Sequence, residues 1–490
     1  MKKRLLALLL ALVMALGMLP TAFALDADEP AGAISAGAAD AETLAEGETE
    51  EEAAEPEQPE AEEPAEEPEE PEQAGEEPAA EPEEAEAAAF AANYTHVFVL
   101  GEKLQFGYYL TKDSSDGTEG KEFDLDSYQK TEPVGRRNYI YYTSGGYMEI
   151  HGDVRIIRRS ENEDIQAVME VQAGNLKVEG NGQLTLDSYE VPALYVKPNA
   201  TIDFALAEID DDFDTIVEIL GDEGSAVVGN LKISSAERVI ISSQTYDDET
   251  TSPNTIDGNA DINAVNVRIE NMGGGACVNG DLVADCKWLY VWNMNGATDA
   301  VLKNGTYQIK GGMAILQNDS GAVIEGNLTA DECDNIGITG CTTGDIPVVR
   351  GNITASDGKV WIQNSDWNSK QSKTDGPLLV GNLTVTNAKS LQIRRKEAGT
   401  TPLITGNVSL TNCTSDNEVG YRIYRIDSQP AIDGNLTLAN SSLDICNQNV
   451  KDRNVVYNTP GVVNCSLTMS NSGELSVAGK NNGWNAINIR

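Results

Sequence analysis

Histidine is nearly absent from this 490-residue chain; the two present are His96 and His151. One falls ahead of the repeated part of the sequence and the other at its start, so a Ser-His-Asp or Cys-His nucleophilic site has little material to draw on. Basic residues are also scarce, with 34 Lys and Arg against 79 Asp and Glu and a formal charge of −45. Such a chain repels nucleic acid and anionic membranes. The seven cysteines are odd in number and form no Cys-x-x-Cys pair, which argues against a zinc site and against a complete disulfide framework. Apart from Leu5 to Leu19 no apolar run approaches membrane-spanning length. Helix-period patterning is missing from residues 150–490, which excludes a helical domain there.

What is present divides into segments. Residues 1–24 read as a secretory signal: Lys2, Lys3 and Arg4, then the apolar run, then the Ala-x-Ala site Ala22-Phe23-Ala24. Residues 25–90 hold 26 Asp and Glu, no Lys or Arg, and repeated Glu-Glu-Pro units such as Glu62-Glu63-Pro64. Mutual repulsion and a shortage of apolar surface predict a disordered acidic spacer between the cell envelope and a working domain. The chain is therefore expected outside the cell and associated with the envelope, with no membrane insertion once the signal is cleaved. The remaining residues carry 31 basic and 53 acidic side chains. Neutral polysaccharide, protein, or an acidic polymer bridged by Ca²⁺ are the partners left open.

From there to the end a tripeptide recurs. It reads Gly-Asn-Leu, or a near variant, at Gly174, Gly229, Gly326, Gly351, Gly381, Gly406 and Gly434. Weaker copies stand at Gly152, Gly258, Gly280 and Gly305, a degenerate one at Asn199-Ala200-Thr201, and a last at Cys465-Ser466-Leu467. The spacing, about 21 to 30 residues, is that of a solenoid. Three short alternating runs fill each period: Pro377-Leu378-Leu379-Val380 before the glycine, Leu383-Thr384-Val385 after it, and Leu391-Gln392-Ile393 beyond a turn. Period-two alternation broken by Gly, Asn and Pro predicts three strands per repeat.

Three asparagine columns accompany the strands, beginning at Asn175, at Asn387 and at Asn271. They suit amides that bond from repeat to repeat, so the many Asn-x-Ser/Thr sequences read as strand grammar and not as glycan acceptors. Cys333 and Cys413 share a slot that holds small residues in other repeats, which predicts reduced core cysteines. Residues 91–150 are aromatic-rich and are expected to cap the open apolar end of residues 151–490. At the far end Ala486 to Ile489 begin another repeat, so the expectation is either a truncated reading frame or a repeat array without a C-terminal cap and anchor.

The units Val380-Gly381-Asn382-Leu383-Thr384-Val385 and Gly180-Asn181-Gly182-Gln183-Leu184-Thr185-Leu186 resemble right-handed parallel β-helix proteins of the pectate-lyase-like superfamily. In particular the chain looks like secreted carbohydrate-binding β-helix proteins of Firmicutes. The resemblance spans residues 150–490 and implies an all-β parallel β-helix. Its motifs speak for architecture more than activity. It leaves a carbohydrate-binding or adhesive surface module and, as the runner-up, a polysaccharide lyase or glycoside hydrolase on the same scaffold; a purely structural surface protein is a third class with no sequence feature against it. Polygalacturonase-like members imply Gly-His-Gly and Arg-Ile-Lys, neither of which occurs here, so the binding module is the expected class.

Two candidate sites follow. With Leu289 and Val291 pointing inward, Trp288, Tyr290 and Trp292 face outward from one strand, and Trp361 faces outward further along the stack. Arg268, Gln363 and Arg394 occupy neighbouring outward positions. Flat rings beside amide and guanidinium donors suit pyranose faces and hydroxyls; cover by a loop or a neighbouring subunit is the alternative. The acidic run Glu208, Asp210, Asp211, Asp212 and Asp214 offers oxygen ligands to Ca²⁺ without an EF-hand's spacing. A solvated loop is its alternative, and no other cofactor is implied.

Overall fold

The computed structural model describes residues 95–111, 128–129, 138–143, 145–158, 165–207, 215–245, 253–294, 299–365, 374–397, 399–414, 420–425, 430–447, 463–471, 474–478 and 487–489. Among them there is no α-helix; every regular element is a strand. The architecture is all-β and solenoid-like, with strands of each repeat pairing in parallel with their equivalents one repeat away. One stack runs Val349–Arg350, Leu379–Val380, Ile404–Thr405, Ile432–Asp433. A second runs Ile353–Ser356, Leu383–Thr386, Val408–Thr411, Leu436–Ala439, Leu467–Ser470. The third includes Lys359–Asn364, Ser390–Arg395, Tyr421–Arg425 and Ser442–Asn447.

Alternation decides which residues form the core. In the second stack Leu383 and Val385 are fully buried, while Thr384 and Thr386 between and after them are half-buried on the outside. The pattern repeats through Val408 and Leu410, then Leu436 and Leu438. Each inward residue meets its equivalent in the next repeat, so one continuous apolar core links all three stacks.

The glycine of the recurring tripeptide is fixed by lack of space. A Cβ on Gly381 would stand 2.0 Å from the Gly351 carbonyl oxygen, and one on Gly406 would stand 2.1 Å from that of Gly381. The asparagine that follows makes a ladder. The Asn352 side-chain oxygen accepts from both the backbone N–H and the side-chain amide of Asn382, at 3.0 Å each, and Asn327 serves Asn352 in the same way. A second ladder joins Asn387, Asn412 and Asn440 through their side chains. These residues hold positive φ (52°, 53° and 47°), a conformation asparagine tolerates better than most residues. The third column is buried and closes turns: Asn364 donates to the carbonyl oxygens of Thr342 and Gly376 and accepts from the Thr342 N–H.

Two register assignments made from the sequence are corrected. Gly152 pairs with Gly182, not with Gly174, so it opens a third-stack strand. The tripeptide position of that first repeat falls just before Tyr147, which pairs with Lys177. In the degenerate copy Ala200, not Asn199, aligns with Gly174. The first repeat departs from the pattern because its strand Tyr147–Ile157 also pairs antiparallel with Tyr139–Tyr142. His96–Val99 likewise runs antiparallel to Met169–Ala173. Val97, Val99, Leu104 and Tyr142 join the core there, and Phe106 stacks on Tyr142 at 5.0 Å.

Cys277, Cys286, Cys333, Cys341 and Cys413 are buried free thiols. Cys333 donates to the Ile309 carbonyl oxygen and Cys413 to that of Val385. Burial raises the pKa of Cys277, Cys286, Cys333 and Cys413, to about 12 for Cys286 and about 11 for Cys333.

Candidate functional site

The third stack carries Trp288, Trp292 and Trp361, together with Arg268 and Arg394, on its outer side. Three outward columns cross it, fixed by strand register. One holds Asn266, Trp288, Met313 and Asn335. The next holds Arg268, Tyr290, Ile315, Gly337, Trp361 and Gln392. The last holds Glu270, Trp292, Gln317, Thr339, Gln363 and Arg394. All seven residues singled out from the sequence for this face therefore lie in two adjoining columns and, with Trp288, a third. Leu289 and Val291 are buried at 3% and 0% exposure, which sets the alternation.

The three aromatics of the Leu282–Asn293 strand differ in exposure. Trp288 is 45% exposed, Tyr290 is half-buried, and Trp292 is covered to 7%. The expectation that Trp292 stands open is thus corrected. Its ring is on the outer side, but its indole N–H donates to Asp319 Oδ1 at 3.0 Å, and Gln317 Nε2 donates to the same oxygen at 2.9 Å. Tyr290 meets Trp292 edge-on, ring centroids 5.5 Å apart. Arg268 donates from Nε to Glu270 Oε1, and Glu270 is 3% exposed. Burial raises the Glu270 carboxyl above its ordinary value, and the neighbouring Arg268 opposes that rise.

Trp361 lies three strands from Tyr290 by register. Its ring lies across Gly337 of the preceding repeat: a Cβ there would fall 2.1 Å from Trp361 Cζ2. The missing side chain lets the indole lie down along its column, towards Ile315 and Tyr290. Two strand spacings separate Gly337 from Tyr290, about 10 Å. Gln363 donates to Thr339 Oγ1 at 2.9 Å and accepts from Arg394 Nε at 3.0 Å. The amide and guanidinium are thereby held in fixed orientation beside the rings.

Met313, Ile315, Gly337, Gln317 and Asp319 also belong to this face and were not singled out from the sequence. Gly337 carried a readable signal, since a glycine inside the apolar strand Ile336-Gly337-Ile338 marks a close approach. The acidic run Glu208, Asp210, Asp211, Asp212 and Asp214 lies outside the described residues. Of the two histidines, His151 stacks on Tyr139 at 5.0 Å and His96 sits in the strand that borders Ala173.

Comparison with known proteins adds no relative: no family model matches the chain, and no curated protein or solved structure matches it either.

Proposed function

We propose that the chain is an exported, envelope-associated module that holds a polysaccharide without cleaving it, on the outer face of the third strand stack. On this reading the stacks wind as a right-handed parallel β-helix, the sense preferred by crossover connections between parallel strands. The acidic segment 25–90 then serves as a spacer. The observation that carries the functional reading is the contiguous strip from Trp288 and Met313 through Tyr290 and Ile315 to the reclining Trp361. It is flanked by the oriented side chains of Gln363 and Arg394. An aromatic strip bordered by fixed polar groups matches the alternating apolar faces and hydroxyl edges of sugar rings. Its length, about 10–15 Å along the stack, suits a short run of such rings.

Cleavage on the same scaffold is the rival reading. It would draw on carboxylates of this face, and the two beside the aromatic strip are engaged, Glu270 by Arg268 and Asp319 by Trp292 and Gln317. The test is incubation of the purified chain with a panel of soluble polysaccharides, with and without Ca²⁺, followed by affinity electrophoresis and assay for new reducing or unsaturated ends. Retardation without new ends supports binding. New ends support cleavage, and neither effect on any polysaccharide returns the chain to a structural or protein-adhesive role.

A further inference from the structure

The outer side of the second stack changes character along its length. In the first repeats its central column alternates in charge, Lys177, Asp203, Lys232 and Asp261, with Lys232 and Asp203 paired at 3.5 Å. Over the last five strands, Ile353–Ser356 to Leu467–Ser470, the charges vanish. Each strand, read from the residue before it to the residue after it, presents four outward positions in the order amide, hydroxyl, hydroxyl, amide. The row Asn382, Thr384, Thr386, Asn387 is the pattern, and the next is Asn407, Ser409, Thr411, Asn412. Departures are conservative except for one carboxylate, Asp357, at the edge; Ala439 replaces one hydroxyl and Ser466 one amide. In a chain that is 23% charged overall, one charge in five rows of four is a marked depletion.

Three further observations make these rows a lattice. Their register runs without a shift from strand to strand, unlike that of the earlier repeats, where the pairing slips at Ile233 and at Lys303. Rows therefore recur at about 4.8 Å, and the two hydroxyl columns stand about 6.7 Å apart within a row. Both borders are immobilised by asparagine ladders, Asn352 to Asn382 on one side and Asn387 to Asn412 to Asn440 on the other. Between those borders the hydroxyls of Thr354, Thr384, Ser409, Thr437, Thr386 and Thr411 bond to no other described protein group. They are exposed or half-buried. Their hydrogen-bonding capacity is spent on water or on a partner.

We infer that this face docks onto the ordered surface of an insoluble, uncharged polysaccharide. Charge decides the class of partner. The chain as a whole is strongly acidic, and Asp331, Glu332 and Asp357 border the lattice, so an anionic polymer is repelled while a neutral one meets the uncharged rows without penalty. Periodicity decides the form. A lattice that repeats the same two hydroxyls in successive rows gains with every added row only on a partner that also repeats, and the weak single contacts then sum as avidity. Fixed amides at the borders supply the donors and acceptors that sugar hydroxyls accept and return. The inference stands apart from the aromatic strip, which belongs to another stack and another outer face.

The test uses the full chain in suspensions of microcrystalline cellulose and of insoluble β-1,3-glucan, with the soluble fraction measured after sedimentation. Three variants accompany it: Thr384→Lys with Thr411→Lys, Thr384→Val with Thr411→Val, and Trp288→Ala. The expected result is depletion of the wild-type chain and of Trp288→Ala alike, with at least a tenfold weaker partition for both double variants at unchanged melting temperature. The valine pair keeps shape and strand preference, so it decides the matter should the lysine pair fail to fold. No depletion of wild type by either solid, or depletion insensitive to both double variants, overturns the inference. Loss of depletion in Trp288→Ala reassigns it to the aromatic strip. Concentration-dependent dimers that both double variants abolish, without retention on either solid, assign the lattice to a second copy of the chain. Faceted ice crystals without polysaccharide retention assign it to ice.

Discussion

Removing the two indoles of the Leu282–Asn293 strand should have opposite consequences, because one is open and the other is covered. Trp292 is 7% exposed, packs edge-on against Tyr290, and donates a hydrogen bond to Asp319. Burying some 200 Å² of ring at about 25 cal/mol per Å² gives an upper bound of about 5 kcal/mol. The site lies on the outer side of the stack, where water can refill the gap, so the expected loss for Trp292→Ala is about 2–4 kcal/mol. Trp288, at 45% exposure, has far less to lose, about 1 kcal/mol. For binding the order reverses. Trp288→Ala removes the most accessible ring and should weaken retention of a soluble glycan at least tenfold, as expected for an anchoring aromatic. Trp292→Ala should weaken it only as far as Tyr290 loses support. Denaturant melts and affinity electrophoresis on the two variants provide the assay. Equal destabilisation by both, or a binding defect confined to Trp292→Ala, would refute the assignment of open and covered rings.

Other consequences are equally direct. Gly381→Ala should destabilise by about 3–5 kcal/mol in denaturant melts, because its Cβ meets a backbone oxygen at 2.0 Å and its φ of 150° disfavours a side chain. Asn387→Gly, at φ 52°, should stay within about 1 kcal/mol. The buried thiols, with Cys286 raised to about 12 and Cys333 to about 11, should resist iodoacetamide at pH 8 in the native chain and react once it is unfolded. Rapid native labelling at those positions would contradict their burial. Glu270, raised above its ordinary 4.5 by burial, binds its proton more tightly when folded than when unfolded. Its contribution to stability is therefore greatest below pH 4.5 and is lost as pH climbs through the raised value, so Glu270→Gln should flatten that part of the stability profile. A profile that keeps its slope in the variant assigns the slope to other groups.

Much of the architecture was legible because its determinants are local and repeat. Gly381 and Gly406 are glycines because a neighbouring backbone leaves no room for a Cβ, and the ladder asparagines are there because an amide both donates and accepts. Such constraints recur once per repeat and print themselves on the sequence. The first repeat was misaligned at Gly152 because its strand is shared with an antiparallel partner, so its glycine serves a different bend. Alternation also placed Trp288, Tyr290 and Trp292 on the outer side, since the buried Leu289 and Val291 fix the phase. It could not say that Trp292 is covered, because its partner Asp319 lies one repeat away and past the end of the neighbouring strand. For the same reason the reclining of Trp361 over Gly337 becomes visible only when the two strands are laid side by side.

The measurement that bears most directly on the central claim is a titration of the full-length chain with each soluble polysaccharide of the panel, followed by intrinsic tryptophan fluorescence and by end-group analysis of the same samples. Saturable change in the wild-type signal, loss of that saturation in Trp288→Ala, and no new reducing or unsaturated ends are the predicted result. New chain ends would contradict the account, and so would saturation that persists unchanged when Trp288 is removed.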